Sequence, residues 1–340
     1  MKKIISLVLT LTFVFLLAAC GGSSSAPAAT AAPAAAPASN EAPAEMPADE
    51  SFVVGICQLV QHPALDAATE GFKQALTEKL GDSVSFIEQN ASGDSATCAT
   101  ICNQFVSEDV DLIMANATPA LQAAAAATNS IPVLATSITD FGSALGIDDW
   151  TGVTGMNISG TSDLAPLDGQ AEIIRELFPD AKKVGILFCS GEANSLFQVD
   201  SIQPMIEALG MEVARFSFSD SNDVAAVTES ACSDCDVLYI PTDNTAASSA
   251  EAINNVALNA GVPIVCGEEG LCKGCGVATL SIDYFDLGFA CGEMAAEILS
   301  EGADVSTMEI RFAPQFTKEF VADRCAALNV TVPDDFVAIA

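Results

Sequence analysis

Hydroxyl, amide and carboxylate side chains recur in this chain directly after short apolar runs, where a strand would give way to a helix. The first such stretch is Gln58-Leu59-Val60-Gln61-His62-Pro63. Asn116-Ala117-Thr118-Pro119 and Thr136-Ser137-Ile138-Thr139-Asp140 follow. Later come Ser190-Gly191-Glu192-Ala193-Asn194-Ser195, Pro241-Thr242-Asp243-Asn244, Gly267-Glu268-Glu269-Gly270 and Asp283-Tyr284. Neutral donors and helix N-termini suit a carboxylate, while Asp243, Glu268 and Asp283 would suit an ammonium group. A zwitterionic small molecule matches that mixture. Each residue taken singly also reads as a structural cap: Thr118, Asn194 and Asn244 are good N-caps, and Pro119 would follow Thr118 in a first helical position. The candidate ligand contacts are Gln58, His62, Thr118, Pro119, Thr136, Ser137, Thr139, Asp140, Glu192, Asn194, Ser195, Asp243, Asn244, Glu268 and Asp283.

Catalysis is poorly provided for. His62 is the single histidine, and a catalytic histidine needs a nucleophile and an orienting partner. No G-x-S-x-G, H-E-x-x-H, phosphate-loop or dinucleotide fingerprint occurs. The expectation is a binding protein with no catalytic residue, no metal and no cofactor, in which His62 lines a pocket or caps a helix. The twelve cysteines leave three readings open. Cys232-Ser-Asp-Cys235 and Cys272-Lys-Gly-Cys275 could bind zinc or an iron–sulfur cluster, or form local disulfides in an exported protein. The plainer reading is small apolar filler, since Cys57, Cys189 and Cys266 fall inside strand-like runs.

The elements that would position these groups alternate. Strand-like runs are Phe52–Leu59, Val84–Glu88, Leu112–Ala115 and Val133–Ala135, then Val184–Phe188, Glu212–Phe216, Val237–Ile240, Ile264–Cys266 and Val277–Ser281. Helical patterns include Ala64–Leu80, Ala96–Val106, Ser195–Leu209, Ala246–Asn259 and Asp286–Leu299, and Thr307–Phe312 and Phe336–Ile339 look like late strands. Such alternation means α/β architecture with parallel sheets covered on both faces. The rhythm restarts at Phe178-Pro179-Asp180-Ala181, so two doubly wound lobes are expected. The chain should cross to the first lobe near Ile282 and return near Ala313. The expected division is 51–162 with 283–312 for one lobe, and 163–282 with 313–340 for the other. A cleft would then open at the carboxyl ends of both sheets, where open α/β sheets bind ligands.

Charge and the N-terminus narrow the setting. Acidic residues number 45 against 12 basic, and no Lys or Arg lies between Lys79 and Arg175. Nucleic acid and anionic lipid surfaces are therefore excluded as partners of the body, because both demand basic patches. Lys2 and Lys3 precede the short apolar run Ile4–Leu17, and Leu17-Ala18-Ala19-Cys20 reads as a lipobox ending in a cysteine for lipidation. The run is short for a membrane span of roughly 20 residues and fits a removable signal. Residues 1–19 are thus expected as signal, and 20–50 as a lipidated Cys20 with a Pro/Ala/Ser-rich linker of low ordering tendency. The body would work outside the cytoplasm, held to the membrane through lipid alone.

Taken together, Gln58 to Asp66, Ala117-Thr118-Pro119-Ala120, Glu192-Ala193-Asn194-Ser195, Tyr239-Ile240-Pro241-Thr242-Asp243-Asn244, Gly267-Glu268-Glu269-Gly270 and Ile282-Asp283-Tyr284-Phe285-Asp286-Leu287-Gly288 resemble the ABC-transporter substrate-binding lipoproteins that include tryptophan- and tyrosine-binding members. The resemblance runs from about Phe52 to beyond Met308. It implies a type I periplasmic-binding-protein fold, two lobes joined by a multi-strand hinge and closing on a small solute. It also implies an ABC permease and its ATPase as partners of a monomer, and an amino acid, aromatic by first expectation, as ligand. A sugar, purine or other small solute is the alternative on the same fold. A redox or metal-carrying lipoprotein using the two C-x-x-C pairs is the alternative from another class.

Overall fold

The computed structural model describes residues 51–148 and 150–339. The expected signal 1–19, the lipid site Cys20 and the linker 20–50 lie outside the described residues.

The chain opens with β1 (Phe52–Gln58), α1 (Pro63–Leu80), β2 (Val84–Asn90), α2 (Ser95–Ser107), β3 (Leu112–Asn116), α3 (Thr118–Ala127), β4 (Val133–Ile138), α4 (Phe141–Leu145) and β5 (Ile158–Ser162). It continues with α5 (Leu167–Leu177), β6 (Lys183–Cys189), α6 (Ala193–Ala208), β7 (Glu212–Phe218), α7 (Val224–Asp234), β8 (Val237–Ile240), α8 (Asn244–Ser248), α9 (Ala250–Ala260), β9 (Ile264–Cys266), α10 (Glu269–Cys275) and β10 (Ala278–Ser281). Last come α11 (Tyr284–Glu301), β11 (Arg311–Phe312), β12 (Thr317–Phe320), α12 (Ala322–Ala327) and β13 (Val337–Ala338).

Two sheets result, in the orders β11-β5-β4-β3-β1-β2 and β13-β12-β10-β9-β8-β6-β7. Every pairing is parallel except β10 with β12. Strands β3, β4 and β8 are buried at every position, as parallel strands with helices on both faces must be. The chain passes between sheets three times: from β5 to α5, from β10 to α11, and from β11 to β12.

Helix α11 returns to the first sheet and lies along α1. Glycines make that approach possible. A Cβ on Gly288 would sit 1.9 Å from the Ala68 carbonyl oxygen, and one on Gly71 would sit 2.1 Å from that of Phe285. The two backbones therefore touch directly, and Phe72, Cys291 and Met294 close the core beside them.

Three local differences from the sequence reading have physical causes. The expected helix Ala246–Asn259 is broken at Ser249 into α8 and α9. Strand β5, Ile-Ser-Gly-Thr-Ser, has little apolar content yet is wholly buried. Its hydroxyls are paired inside: Ser159 donates to the Met308 carbonyl at 3.0 Å and Thr161 to the Thr136 hydroxyl at 2.9 Å. The late strands shrink to Arg311–Phe312 and Val337–Ala338, and β12 is an addition.

Candidate functional site

The carboxyl ends of the two sheets face each other, and the turns that leave them meet. His62 precedes α1, whose first residue is Pro63, and its Nε2 lies 3.3 Å from Asn244 Oδ1, which begins α8 in the other lobe. Nearby, Gly270 of α10 packs on Pro63 so closely that a Cβ there would lie 3.2 Å from the proline Cβ. A cavity of about 290 Å³ opens between the lobes, lined by Leu59, Val60, Pro119, Glu192, Asn244 and Thr245, with Ser92, Ser95, Ser219, Asp220, Ser221 and Ser248 among the hydroxyl- and acid-bearing wall. It approaches the size usual for small-molecule pockets, about 300–1,000 Å³. No Lys, Arg or aromatic ring is in its wall.

The second lobe holds a tight polar cluster. Glu192 Oε1 accepts from the Thr245 amide at 2.8 Å and hydroxyl at 2.7 Å, and Oε2 accepts from the Asn244 side chain at 2.7 Å and backbone at 3.1 Å. A carboxylate at the start of α8 is satisfied there by orphan helix N–H groups. Asp243 is as fully engaged. Its Oδ2 accepts from the Cys189 amide at 2.6 Å and the Ser195 hydroxyl at 2.7 Å, and its Oδ1 from the Ala246 amide at 2.8 Å. Burial, and then the Glu192 charge, push the Asp243 carboxyl up to about 7. Asn194 donates to Glu192 and to the Thr242 carbonyl.

The first lobe is arranged differently. Gln58 is consumed internally, donating to Asp66 at 2.7 Å and accepting from Thr69 at 2.6 Å. Thr118 is the first residue of α3 rather than its cap. The residue before it, Ala117, has φ 87° and ψ 157°, a region that only glycine occupies readily. Ser137, one residue from the end of β4, is also left-handed at φ 58°. Two strained residues at adjacent strand ends mark this rim as a place where geometry has been held against local preference. Thr136 accepts from Thr161, and Asp140 caps α4 through the Ser143 amide.

Glu268 and Asp283 take structural positions as well. Glu268 caps α10 through the Gly270 and Leu271 amides, and burial pushes it up to about 7. Asp283 is exposed and caps α11 through Phe285 and Asp286. At the crossing from β5, Asp163 accepts from Thr139 at 3.0 Å and from Tyr284 at 2.9 Å, and burial pushes it up to about 6.

The structure therefore brings Pro119, Glu192 and Asn244 to the cavity wall, with His62, Asn194, Ser195 and Asp243 joined to Glu192 and Asn244 in one hydrogen-bonded network. Gln58, Thr136, Asp140, Glu268 and Asp283 hold the turns in shape. The cavity residues Ser92 and Ser95 after β2, and Ser219 to Ser221 after β7, escaped the sequence reading. They sit at the same strand ends, so extending the strand-end rule to every strand of both lobes would have found them.

Buried polar atoms with no partner in the protein number five among the described residues. Four lie at these strand ends: His62 Nδ1, Asn116 Oδ1, Ser137 Oγ and Asn194 Oδ1. Buried polar groups are normally satisfied, so this grouping points to a polar occupant. The tyrosines and the tryptophan are engaged with other parts of the protein. Tyr239 is fully buried and donates to Gln170, Tyr284 is held by Asp163, and Trp150 packs edge-on to Phe141.

All eleven cysteines among the described residues are free. Cys57 is flanked by Cys98 and Cys102, and Cys266 by Cys272 and Cys275, in apolar surroundings. Hydrogen bonds to Cys102 and Cys98 raise the Cys57 thiol, and burial raises that of Cys266. No group of three or more His, Cys, Asp or Glu among the described residues is placed to hold a metal ion.

Residues 53–340 match the family described as ABC transporter substrate binding protein. A tyrosine-binding protein of Clostridioides difficile (strain R20291) is 40% identical over 260 residues, 76% of this chain and 75% of the relative. The structure of an ABC domain in complex with L-Trp from Streptococcus pneumonia superposes with a TM-score of 0.80 at 31% identity, covering 84% of this chain and 97% of that one. A ligand-free, open structure of a substrate-binding protein with adhesive properties from Clostridium difficile gives 0.65 at 35% identity, covering 85% and 99%. The fold is that of type I periplasmic binding proteins, and the family is one of solute-binding proteins rather than enzymes. The chain belongs to the ABC transporter substrate-binding protein family.

Proposed function

We propose that this protein is the lipid-anchored, extracytoplasmic receptor of an ABC importer, capturing an amino acid with an aromatic side chain between its lobes. The group of unpartnered buried polar atoms at the facing strand ends carries this reading. Relatives named for tyrosine binding and solved with L-Trp support the ligand class. Cys20 is the proposed lipid site, and 20–50 the tether. The lobes are 51–162 with 283–312, and 163–282 with 313–340, joined by three crossings.

The proposed ligand surround is the set Gln58, His62, Thr118, Pro119, Thr136, Ser137, Thr139, Asp140, Glu192, Asn194, Ser195, Asp243, Asn244, Glu268 and Asp283, with two kinds of role. Pro119, Glu192 and Asn244 stand on the cavity wall, and His62, Ser137 and Asn194 carry the unpartnered atoms offered to the occupant. The others hold the turns that present them. Leu59, Val60 and Pro119 form the apolar wall for the ligand side chain, and the α3 N-terminus favours its carboxylate. Closure desolvates these groups, so a ligand that binds the closed form better shifts the population toward it. A permease and ATPase reading the closed form complete the importer.

Isothermal titration against the common amino acids tests the reading. Saturable one-to-one binding of tryptophan or tyrosine is expected, and heat from none of them would overturn it.

A further inference from the structure

One buried hydrogen-bonded chain spans the cleft. Asn194 Nδ2 donates to Glu192 Oε2 at 3.2 Å and to the Thr242 carbonyl at 3.1 Å. Asn244 Nδ2 donates to the same Glu192 oxygen at 2.7 Å, and Asn244 Oδ1 faces His62 Nε2 at 3.3 Å. These directions fix the protons. Asn244 spends its N–H on Glu192, so its Oδ1 can only accept and His62 Nε2 must donate. The other nitrogen of a neutral imidazole is then a lone-pair acceptor. Burial, the largest influence, holds His62 below its ordinary range, while Asn244 and the charges of Glu192 and Asp66 act the other way. Asn194, with its N–H groups committed, likewise leaves Oδ1 as an acceptor. His62 is 7% exposed and Asn194 4%, and neither His62 Nδ1 nor Asn194 Oδ1 has a partner.

We propose that His62 Nδ1 and Asn194 Oδ1, one from each lobe, jointly accept the N–H donors of the ligand's amino group. This rests on the solute-binding reading above and deepens it. Asp243, Glu268 and Asp283 suit an ammonium by residue type, but both oxygens of Asp243 already accept from Cys189, Ser195 and Ala246, and Glu268 and Asp283 cap helices. Glu192, which binds Asn194 and Asn244, contributes its charge at one remove. A ligand nitrogen bridging the lobes couples recognition to closure. A ligand lacking that nitrogen leaves two buried acceptors unpaired, the situation in which a binding site discriminates most strongly.

The test compares L-tryptophan and L-tyrosine with their desamino analogues, indole-3-propionate and 3-(4-hydroxyphenyl)propionate, by titration calorimetry on the full chain. His62→Gln keeps a donor where Nε2 stands and loses the acceptor at Nδ1, whereas His62→Asn does the reverse. The wild type is expected to prefer the amino acid over its analogue by about a hundredfold or more. That preference should fall about tenfold or more in His62→Gln and in Asn194→Ala, and survive largely in His62→Asn. An unchanged preference in both His62→Gln and Asn194→Ala, or a wild type indifferent to the amino group, overturns the proposal. A wild type that binds no amino acid at all overturns the amino-acid reading, and the proposal with it.

Discussion

His62 Nε2 and Asn244 Oδ1 stand 3.3 Å apart although they follow strands of different sheets, so the contact joins the two lobes across the cleft. The rim of the cleft is thus fastened by a neutral pair, with Pro63 against Gly270 beside it. Neutral fastening suits a shutter that must reopen, since a buried ion pair would carry a large desolvation cost at each cycle.

Removing that fastening should weaken ligand binding without unfolding the protein. Asn244→Ala strips the partner of His62 and one donor to Glu192, so a loss of about 1–3 kcal/mol in binding is expected. Small-angle scattering should show a larger fraction of open molecules at equal ligand concentration, and calorimetry should give the affinity.

Ser195→Ala is expected to act on stability. It takes one donor from the buried Asp243 carboxylate, whose remaining partners are the Cys189 and Ala246 amides. A cost of about 1–3 kcal/mol follows, to be read as a lower urea midpoint with an unchanged slope.

The cleft carboxyls give the protein an unusual pH dependence. Asp243 and Glu268 are raised to about 7 and Asp163 to about 6, burial being the main cause in each. The folded protein therefore holds these protons at a pH where the unfolded chain, with carboxyl pKa values near ~4, has released them. Stability from this source is full below pH ~4, declines as pH rises, and is gone above pH ~7. His62, lowered by burial, acts oppositely below its unfolded value of ~6.5. Glu268→Gln should flatten the fall in melting temperature between pH 5.5 and 8, and a slope equal to that of the wild type would contradict the assignment.

Packing between α1 and α11 offers a further prediction. Gly288→Ala forces a methyl group to within 1.9 Å of the Ala68 carbonyl, so the helices must separate. A destabilisation of about 1–3 kcal/mol is expected, visible in urea denaturation. Ligand affinity should change little, because the glycine lies away from the cleft wall.

How much was legible in the sequence depended on whether burial was achieved by apolar residues. β8 and the first four residues of β3 announce themselves as apolar runs, β4 does so only over Val133–Ala135, and the restart at Phe178 marks the second lobe. β5 was invisible because its Ser159, Thr161 and Ser162 are buried through hydrogen bonds to Met308, Thr136 and Thr139. The site was half legible. Strand-end turns located Pro119, Glu192 and Asn244, but residue type could not separate Asp243, which serves its own lobe, from Asn194, which keeps an acceptor unpartnered. Ser92 and Ser219 carry no distinctive type at all, and only the facing of the two sheets makes them wall.

A crystal structure of the protein grown with L-tryptophan or L-tyrosine tests the central claim most directly. The ligand is expected between the lobes, touching residues after β1, β3 or β4 on one side and after β6 or β8 on the other. Density outside the cleft, or contact with one lobe alone, would contradict the account.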